Sequence, residues 1–497
     1  MQNHFDKKEC QGLQQYINRL SESSKLSNKD DSNNLSGIHH LGYCYQHGIE
    51  TEKNEIKAFE LYEAAAGKGH LDSIHQLGFC YQHGIGTKKD EIKAFKLYTK
   101  AAEKGYIVSK YNLGKCYEDG IGTIKNEIKA FESYNTAAEA GHIVSIYHLG
   151  LCYENKIGTE YNASKAFESY NTAAEKGHIV SMYHLGLCYE NKIGTEYNAN
   201  KAFESYNTAA EKGHIVSMYH LGLCYENKIG TEYNANKAFE SYKEAAEKGH
   251  IASMYHLGLC YENKIGTEYN ANKAFESYKE AAEKGHIASM YHLGLCYENK
   301  IGTEYNANKA FESYKEAAEE GHIVSMYRLG IFYENRIGTE CNGDTTFESY
   351  EAAAEVDHID SMYHLGFCYQ HGIGTKKDEV KAFQLYNAAA EVGHIDSMYH
   401  LGIFYENGIG TECNVDKAFE LYKAAAEKGH FDSMCYLGIY YVSGECNANE
   451  AFKSYNTAAE VGHIDSNSEI YEAFESNKEA DEEKGHDWWS RSINSFQ

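Results

Sequence analysis

The 497-residue chain contains no proline. No loop is therefore stiffened by a fixed φ, and nothing in the sequence gives a physical reason for the absence. Tryptophan occurs only at Trp488 and Trp489. Bases are scarce: 47 Lys and Arg face 73 Asp and Glu, a formal charge of −26. That balance repels nucleic acid and anionic membrane surfaces. It serves solubility, or it suits a basic partner. No apolar run approaches the roughly 18 residues of a membrane span. The first residues, MQNHFDKKECQGLQQ, lack the apolar centre of a signal peptide. A cytoplasmic location is the expectation, and the sequons at Asn34 and Asn162 then read as chance matches.

Chemical motifs are missing as well. The chain has no G-x-x-x-x-G-K-[ST], no G-x-G-x-x-G, no H-E-x-x-H and no S-x-x-K. The 14 cysteines do not pair within a unit. Nine fall at one recurring place, Cys44, Cys80, Cys116, Cys152, Cys188, Cys224, Cys260, Cys296 and Cys368, with no second fixed partner. Disulfide geometry needs Cα atoms within about 7 Å. These residues read as reduced, small core side chains, and no clustered zinc ligands occur. The expectation is a protein without cofactor, metal or catalytic residues.

What the chain has is repetition. Residues 237–272, KAFESYKEAAEKGHIASMYHLGLCYENKIGTEYNAN, recur letter for letter at 273–308. A Leu-Gly pair marks each unit, at Leu41, Leu77, Leu113, Leu149, Leu185, Leu221, Leu257, Leu293, Leu329, Leu365, Leu401 and Leu437, always 36 residues apart. A strict period of this length means stacked supersecondary units.

Two helices are predicted per unit. In helix A, over 179–191, Met182, Leu185, Gly186 and Tyr189 share one face. In helix B, over 199–212, Ala202, Phe203, Tyr206, Ala209 and Ala210 do so. Asn198 fits a helix N-cap and Gly213 a left-handed helix stop. The helix A glycine costs about 1 kcal/mol against alanine. Close approach of the two helix backbones, helped by the small Ala pair of helix B, is the expected reason. Between the helices, Gly84 suits a positive φ; Lys156 at the same place must accept strain or shift the helix end.

Of 26 histidines, one set follows the helix B glycine (His178, His214, His250, His286) and another precedes Leu-Gly (His184, His220, His256, His292). Their spacing of six puts them on different faces of helix A. Gln76, Asn112, Arg328 and Tyr436 replace the second set elsewhere. A metal ligand would not vary so, and the histidines read as surface or loop-bonding groups.

Three regions follow. Residues 1–35 are polar and lack the period, with a possible capping helix from Asp6 to Ser21. Residues 36–463 hold the repeats. Residues 464–497 form a degenerate repeat and an acidic tail, whose tryptophans either cover the last repeat or form an exposed aromatic motif.

The unit MYHLGLCYENKIGTEYNANKAFESYKEAAEKG resembles the Sel-1-like repeat, a relative of the tetratricopeptide repeat. It shares the Leu-Gly, the following Tyr, the second loop Gly, the Lys-Ala, the next Tyr, the Ala-Ala and the closing Gly. Departures are Lys for the first loop Gly, Ile for Val and Asn for Asp. The resemblance implies an all-α, right-handed α-solenoid of about twelve antiparallel helix pairs, with helix A on the concave side. It implies a non-enzymatic scaffold or adaptor in signalling or complex assembly. Its partners would be other proteins or extended peptides, basic ones included, or a protein kinase or other signalling enzyme. The alternatives are a quality-control adaptor for membrane proteins, and a β-lactam-recognising hydrolase like that proposed for a cysteine-rich branch of the family.

In such arrays the helix A residues not packed on helix B line the concave groove. Counting from the packed face gives Tyr183, Leu187 and Glu190; then Tyr219, Leu223 and Glu226; then Tyr255, Leu259 and Glu262; then Tyr291, Leu295 and Glu298. The competing expectation is that the tyrosine and leucine of each triad pack between repeats.

Overall fold

The computed structural model describes residues 31–340 and 342–443. The described residues form 23 helices, from Asp31–His47 to Phe431–Ser443, and no strand. The first helix already begins inside the segment expected to lack the period. The capping helix, the degenerate repeat and the tryptophans lie outside the described residues. The chain divides into two compact units, Met1–Cys260 with Lys264–Glu268, and Tyr261–Asn263 with Tyr269–Gln497. Each is a stack of helix pairs.

The repeat at 179–213 shows how the local sequence makes a pair. Helix A spans Ile179–Asn191 and helix B spans Ala199–Glu211. Helix B starts at Asn198, whose side chain accepts the Lys201 amide at 3.0 Å. It ends where Gly213, at φ +89°, turns the chain. There the His214 amide reaches back to the Ala209 carbonyl and the Gly213 amide to that of Ala210. Those two bonds satisfy carbonyls that a helix end leaves orphaned.

The loop between the helices contains two left-handed residues. Lys192 takes φ +60°, and Lys156, Lys228, Lys264 and Lys300 do the same. The helix end has not shifted; the strain has been accepted. Next comes Gly194 at φ +67°. A β-carbon there would collide with the carbonyl of Ala163, at the start of the preceding repeat's helix B. This second glycine therefore permits the loop to cross the start of the preceding repeat's helix B.

The helix A glycine has a different cause from the one expected. A β-carbon on Gly186 would stand 2.5 Å from Cε1 and 2.7 Å from Cδ1 of Tyr206. A tyrosine ring, not a neighbouring backbone or an alanine pair, fills the space.

That tyrosine is the centre of the core. Ala202, Tyr206 and Cys224 are buried together, with Leu187, Tyr189, Phe203 and Ile229 packed around them. Ala210, Met218 and Ala245 form the adjoining layer. Cys224 belongs to the following repeat, so each core layer is shared and no pair buries its faces alone. In the second unit, Phe404 takes the cysteine position and packs at 5.3 Å on Tyr386, within a larger apolar cluster.

Candidate functional site

All twelve residues expected on the free face of helix A are half-buried. Their side chains are engaged in ways that sequence spacing did not show.

The tyrosines bridge repeats. In the first unit, the Tyr183 ring lies 5.1 Å from that of His214 and 5.3 Å from that of His220, both in the next repeat. Its hydroxyl is 3.4 Å from His220 Nε2. Tyr147 and Tyr219 repeat the contact with His184 and His256. Within its own repeat, the Tyr255 ring lies edge-on to its neighbour His256 at 5.5 Å. In the second unit, Tyr291 packs on His322 at 5.0 Å, and the Tyr363 hydroxyl reaches His400 Nε2 at 3.2 Å. The two histidine sets thus converge on one tyrosine, which corrects the reading of separate faces. His214 is the N-cap of its helix. Outside the regular turn, its ring is not bound by helical angular spacing.

The glutamates are engaged too. Glu190 and Glu226 each accept a hydrogen bond at 2.5 Å from the buried tyrosine of helix B, Tyr206 and Tyr242 respectively. Glu262 and Glu298 accept in the same way from Tyr278 and Tyr314. The expectation that these acids face away from helix B is therefore corrected. Their outer side meets the histidine of the following repeat, with His256 Nδ1 at 3.8 Å from Glu226 and His292 Nδ1 at 3.8 Å from Glu262. In three repeats Gln46, Gln82 and Gln370 stand at the acid's place and accept the same tyrosine bond.

Burial lowers the pKa of His184, His220 and His292, against the opposing pull of the nearby glutamate. A neutral imidazole in the tautomer with hydrogen on Nδ1 can accept the tyrosine hydroxyl at Nε2 and face the glutamate with Nδ1. The histidines are structural links, not surface groups. The spacings that carry this network are 37 residues for Tyr183 to His220 and 16 for Glu190 to Tyr206. The one readable signal was the exchange of Glu for Gln, which keeps an acceptor and drops a charge.

A second motif resembles catalytic chemistry. Asp360 Oδ1 lies 3.4 Å from His394 Nε2, and His394 Nδ1 lies 2.8 Å from Ser397 Oγ. Ser397 is fully buried, and its own amide donates to His394 Nδ1 at 3.2 Å. The imidazole caps a helix, and the hydroxyl is closed to any substrate. Among the described residues no three His, Cys, Asp or Glu side chains gather as a metal would require. Nor is any described helix long and apolar enough to cross a membrane. The core thiols are free, and burial pushes those of Cys188 and Cys224 up to about 12.

Stacked helix pairs of this kind define an α-helical tandem-repeat solenoid. The Sel1 repeat profile matches eleven consecutive segments, from 36–70 through 395–430. The chain belongs to the Sel1 repeat family. Among solved structures it is similar to c5321, "a protective antigen present in uropathogenic Escherichia coli strains displaying an SLR fold". Identity there is 26% over 91% of this chain and 94% of that one, with a TM-score of 0.73. It is also similar to a Sel1 repeat protein from Oxalobacter formigenes, at 30% identity over 49% of this chain and 96% of that one, with a TM-score of 0.45. No curated protein matches the sequence. The fold is one typical of protein-interaction scaffolds.

Proposed function

We propose that the chain is a non-enzymatic scaffold that binds extended segments of partner proteins along the helix A face. The observation that carries this reading is one chemical face presented many times over. In each central repeat a half-buried tyrosine, leucine and glutamate recur at 36-residue intervals. Their polar atoms are already held by neighbours in the fold, so the face is preorganised. Aromatic side chains held rigid in this way anchor interfaces well.

The recurring glutamates give this face an acidic composition. With a chain charge of −26, they favour a basic segment. A protein kinase or other signalling enzyme in the cytoplasm is the partner class we favour. The sealed Ser397 weighs against a β-lactam hydrolase.

The test is affinity capture with the full chain, mass spectrometry of what is bound, and binding measured with Glu190→Gln and Glu226→Gln combined. Glutamine already serves this place at Gln46 and Gln82, so the fold should persist. Weaker binding with an unchanged melting temperature supports the reading. Undiminished binding removes the basic-segment reading, and failure to retain any protein reproducibly removes the scaffold.

A further inference from the structure

We propose that Tyr161, Tyr197, Tyr233, Tyr269 and Tyr305 are sites of O-phosphorylation by a protein tyrosine kinase using ATP. This rests on the loop between helices A and B, not on the helix A face, and stands independently of the scaffold reading.

Each central repeat carries four tyrosines, and three are occupied. In the repeat at 179–213, Tyr206 is fully buried under Gly186. Tyr183 bridges to His220. Tyr189 packs edge-on against Phe167 at 5.4 Å, with the Lys201 ammonium 5.2 Å from its ring centre. The fourth, Tyr197, is different. It and its four equivalents are 50–52% exposed on the short stretch without regular structure before helix B. Among the described residues no hydrogen bond holds any of the five hydroxyls.

In four of the outer repeats the same position holds a lysine paired with the first acid of helix B, while Cys341 and Cys413 stand there in two others. These pairs are Lys53–Glu55 at 2.8 Å, Lys89–Glu91 at 2.7 Å, Lys125–Glu127 at 3.7 Å and Lys377–Glu379 at 2.9 Å. In the five central repeats both partners change together. Tyrosine replaces the lysine, and alanine replaces the acid, as at Tyr197 and Ala199. A glutamate now precedes each tyrosine, as Glu196 precedes Tyr197.

In the same repeats a lysine side chain starts close to that of the tyrosine. A β-carbon on Gly84 would lie 3.7 Å from Lys89 Cβ, and one on Gly372 3.8 Å from Lys377 Cβ. Those two positions are Lys192 and Tyr197 in the central repeats, so their side chains start as neighbours. An ammonium there can pair with a phosphate, which carries about −1.5 to −2 charges at neutral pH.

In the transfer, the hydroxyl oxygen bonds to the γ-phosphorus as the bond to the β-phosphate oxygen breaks. The hydroxyl proton passes to the kinase's catalytic carboxylate, and ADP leaves.

The test incubates the full chain with Mg-ATP and a tyrosine-kinase catalytic domain that selects an acid before its target. Phosphate is mapped over time by peptide mass spectrometry, on native and on urea-unfolded chain. The five loop tyrosines should be filled first in the native chain, with Tyr183, Tyr189 and Tyr206 modified only after unfolding. The variant with all five changed to Phe should lose most of the incorporated phosphate while keeping its circular dichroism. Equal rates at the other tyrosines, unchanged incorporation in the Phe variant, or labelling confined to the unfolded chain would each overturn the proposal.

Discussion

The Tyr206 ring occupies the space that a β-carbon on Gly186 would need, with ring carbons 2.5 and 2.7 Å from it. The same pairing recurs at Gly150 with Tyr170, Gly222 with Tyr242 and Gly294 with Tyr314. One glycine and one tyrosine, 20 residues apart, thus define how the two helices of a repeat meet.

Gly186→Ala should therefore destabilise the chain. Alanine gains about 1 kcal/mol of helix propensity at an open site. Overpacking here costs about 1–3 kcal/mol and outweighs it. The effect should concentrate in the repeat and its neighbours, because array stability sums local terms. Urea denaturation with hydrogen exchange measures both. A stabilised variant would show that the ring yields freely and that the account is wrong.

The two loop positions should respond with opposite signs. Lys192→Gly relieves a left-handed residue and should stabilise by about 0.5–1 kcal/mol. Gly194→Ala keeps φ at +67° and drives a methyl into the Ala163 carbonyl, so it should destabilise. Thermal melts of both variants check the pair. The same sign for both would refute the loop geometry.

Stability should fall on acidification through the histidine range. Burial pushes His39, His75, His148 and His400 down to about 4. Unfolded histidine titrates near 6.5, and each pKa unit corresponds to about 1.4 kcal/mol before discounting for partial exposure. Between these values the unfolded chain binds protons that the folded chain refuses, so stability is complete above pH ~6.5 and declines toward pH ~4. Nearby Glu118 and Asp119 soften the effect at His148. Melting temperatures at pH 7, 5.5 and 4.5 should descend, and His148→Gln should shallow the slope. A flat profile contradicts the buried, neutral histidines.

Native alkylation near pH 8 should spare the core thiols. Burial raises Cys80, Cys116, Cys152, Cys260, Cys296 and Cys368 to about 12, whereas Cys413 is exposed. Peptide mass spectrometry after iodoacetamide should find Cys413 modified and these six unmodified until denaturant is added. Fast native labelling of the six would mean that the core opens readily.

Much of this was legible in the chain. The period located the Leu-Gly helices, and helix A came out over the predicted 179–191. Asn198 caps helix B as its residue type suggested, because an Asn side chain satisfies an amide within three residues. Such features are local, and local chemistry is written in neighbouring letters. The free face of helix A was less legible. Tyr183 looks unoccupied when one helix is counted alone, yet it packs against His214 and His220. A triple exchange of Tyr219, Tyr255 and Tyr291 for alanine would therefore disturb the array as well as any partner.

The period, the two helices per unit, their caps and the thiols' lack of fixed partners can all be read from the letters of the chain. These follow from short-range rules, which a near-identical repeat states many times over. It takes the packing of the helices to show that Tyr206 covers Gly186, that Glu190 accepts the Tyr206 hydroxyl, and that both histidine sets meet the preceding tyrosine. A repeat makes residues 36 apart equivalent, but equivalence does not say which of them touch. Contacts 16, 20 or 37 residues apart depend on how one helix rotates against the next. That rotation is set by packing a tyrosine ring into the space a glycine leaves.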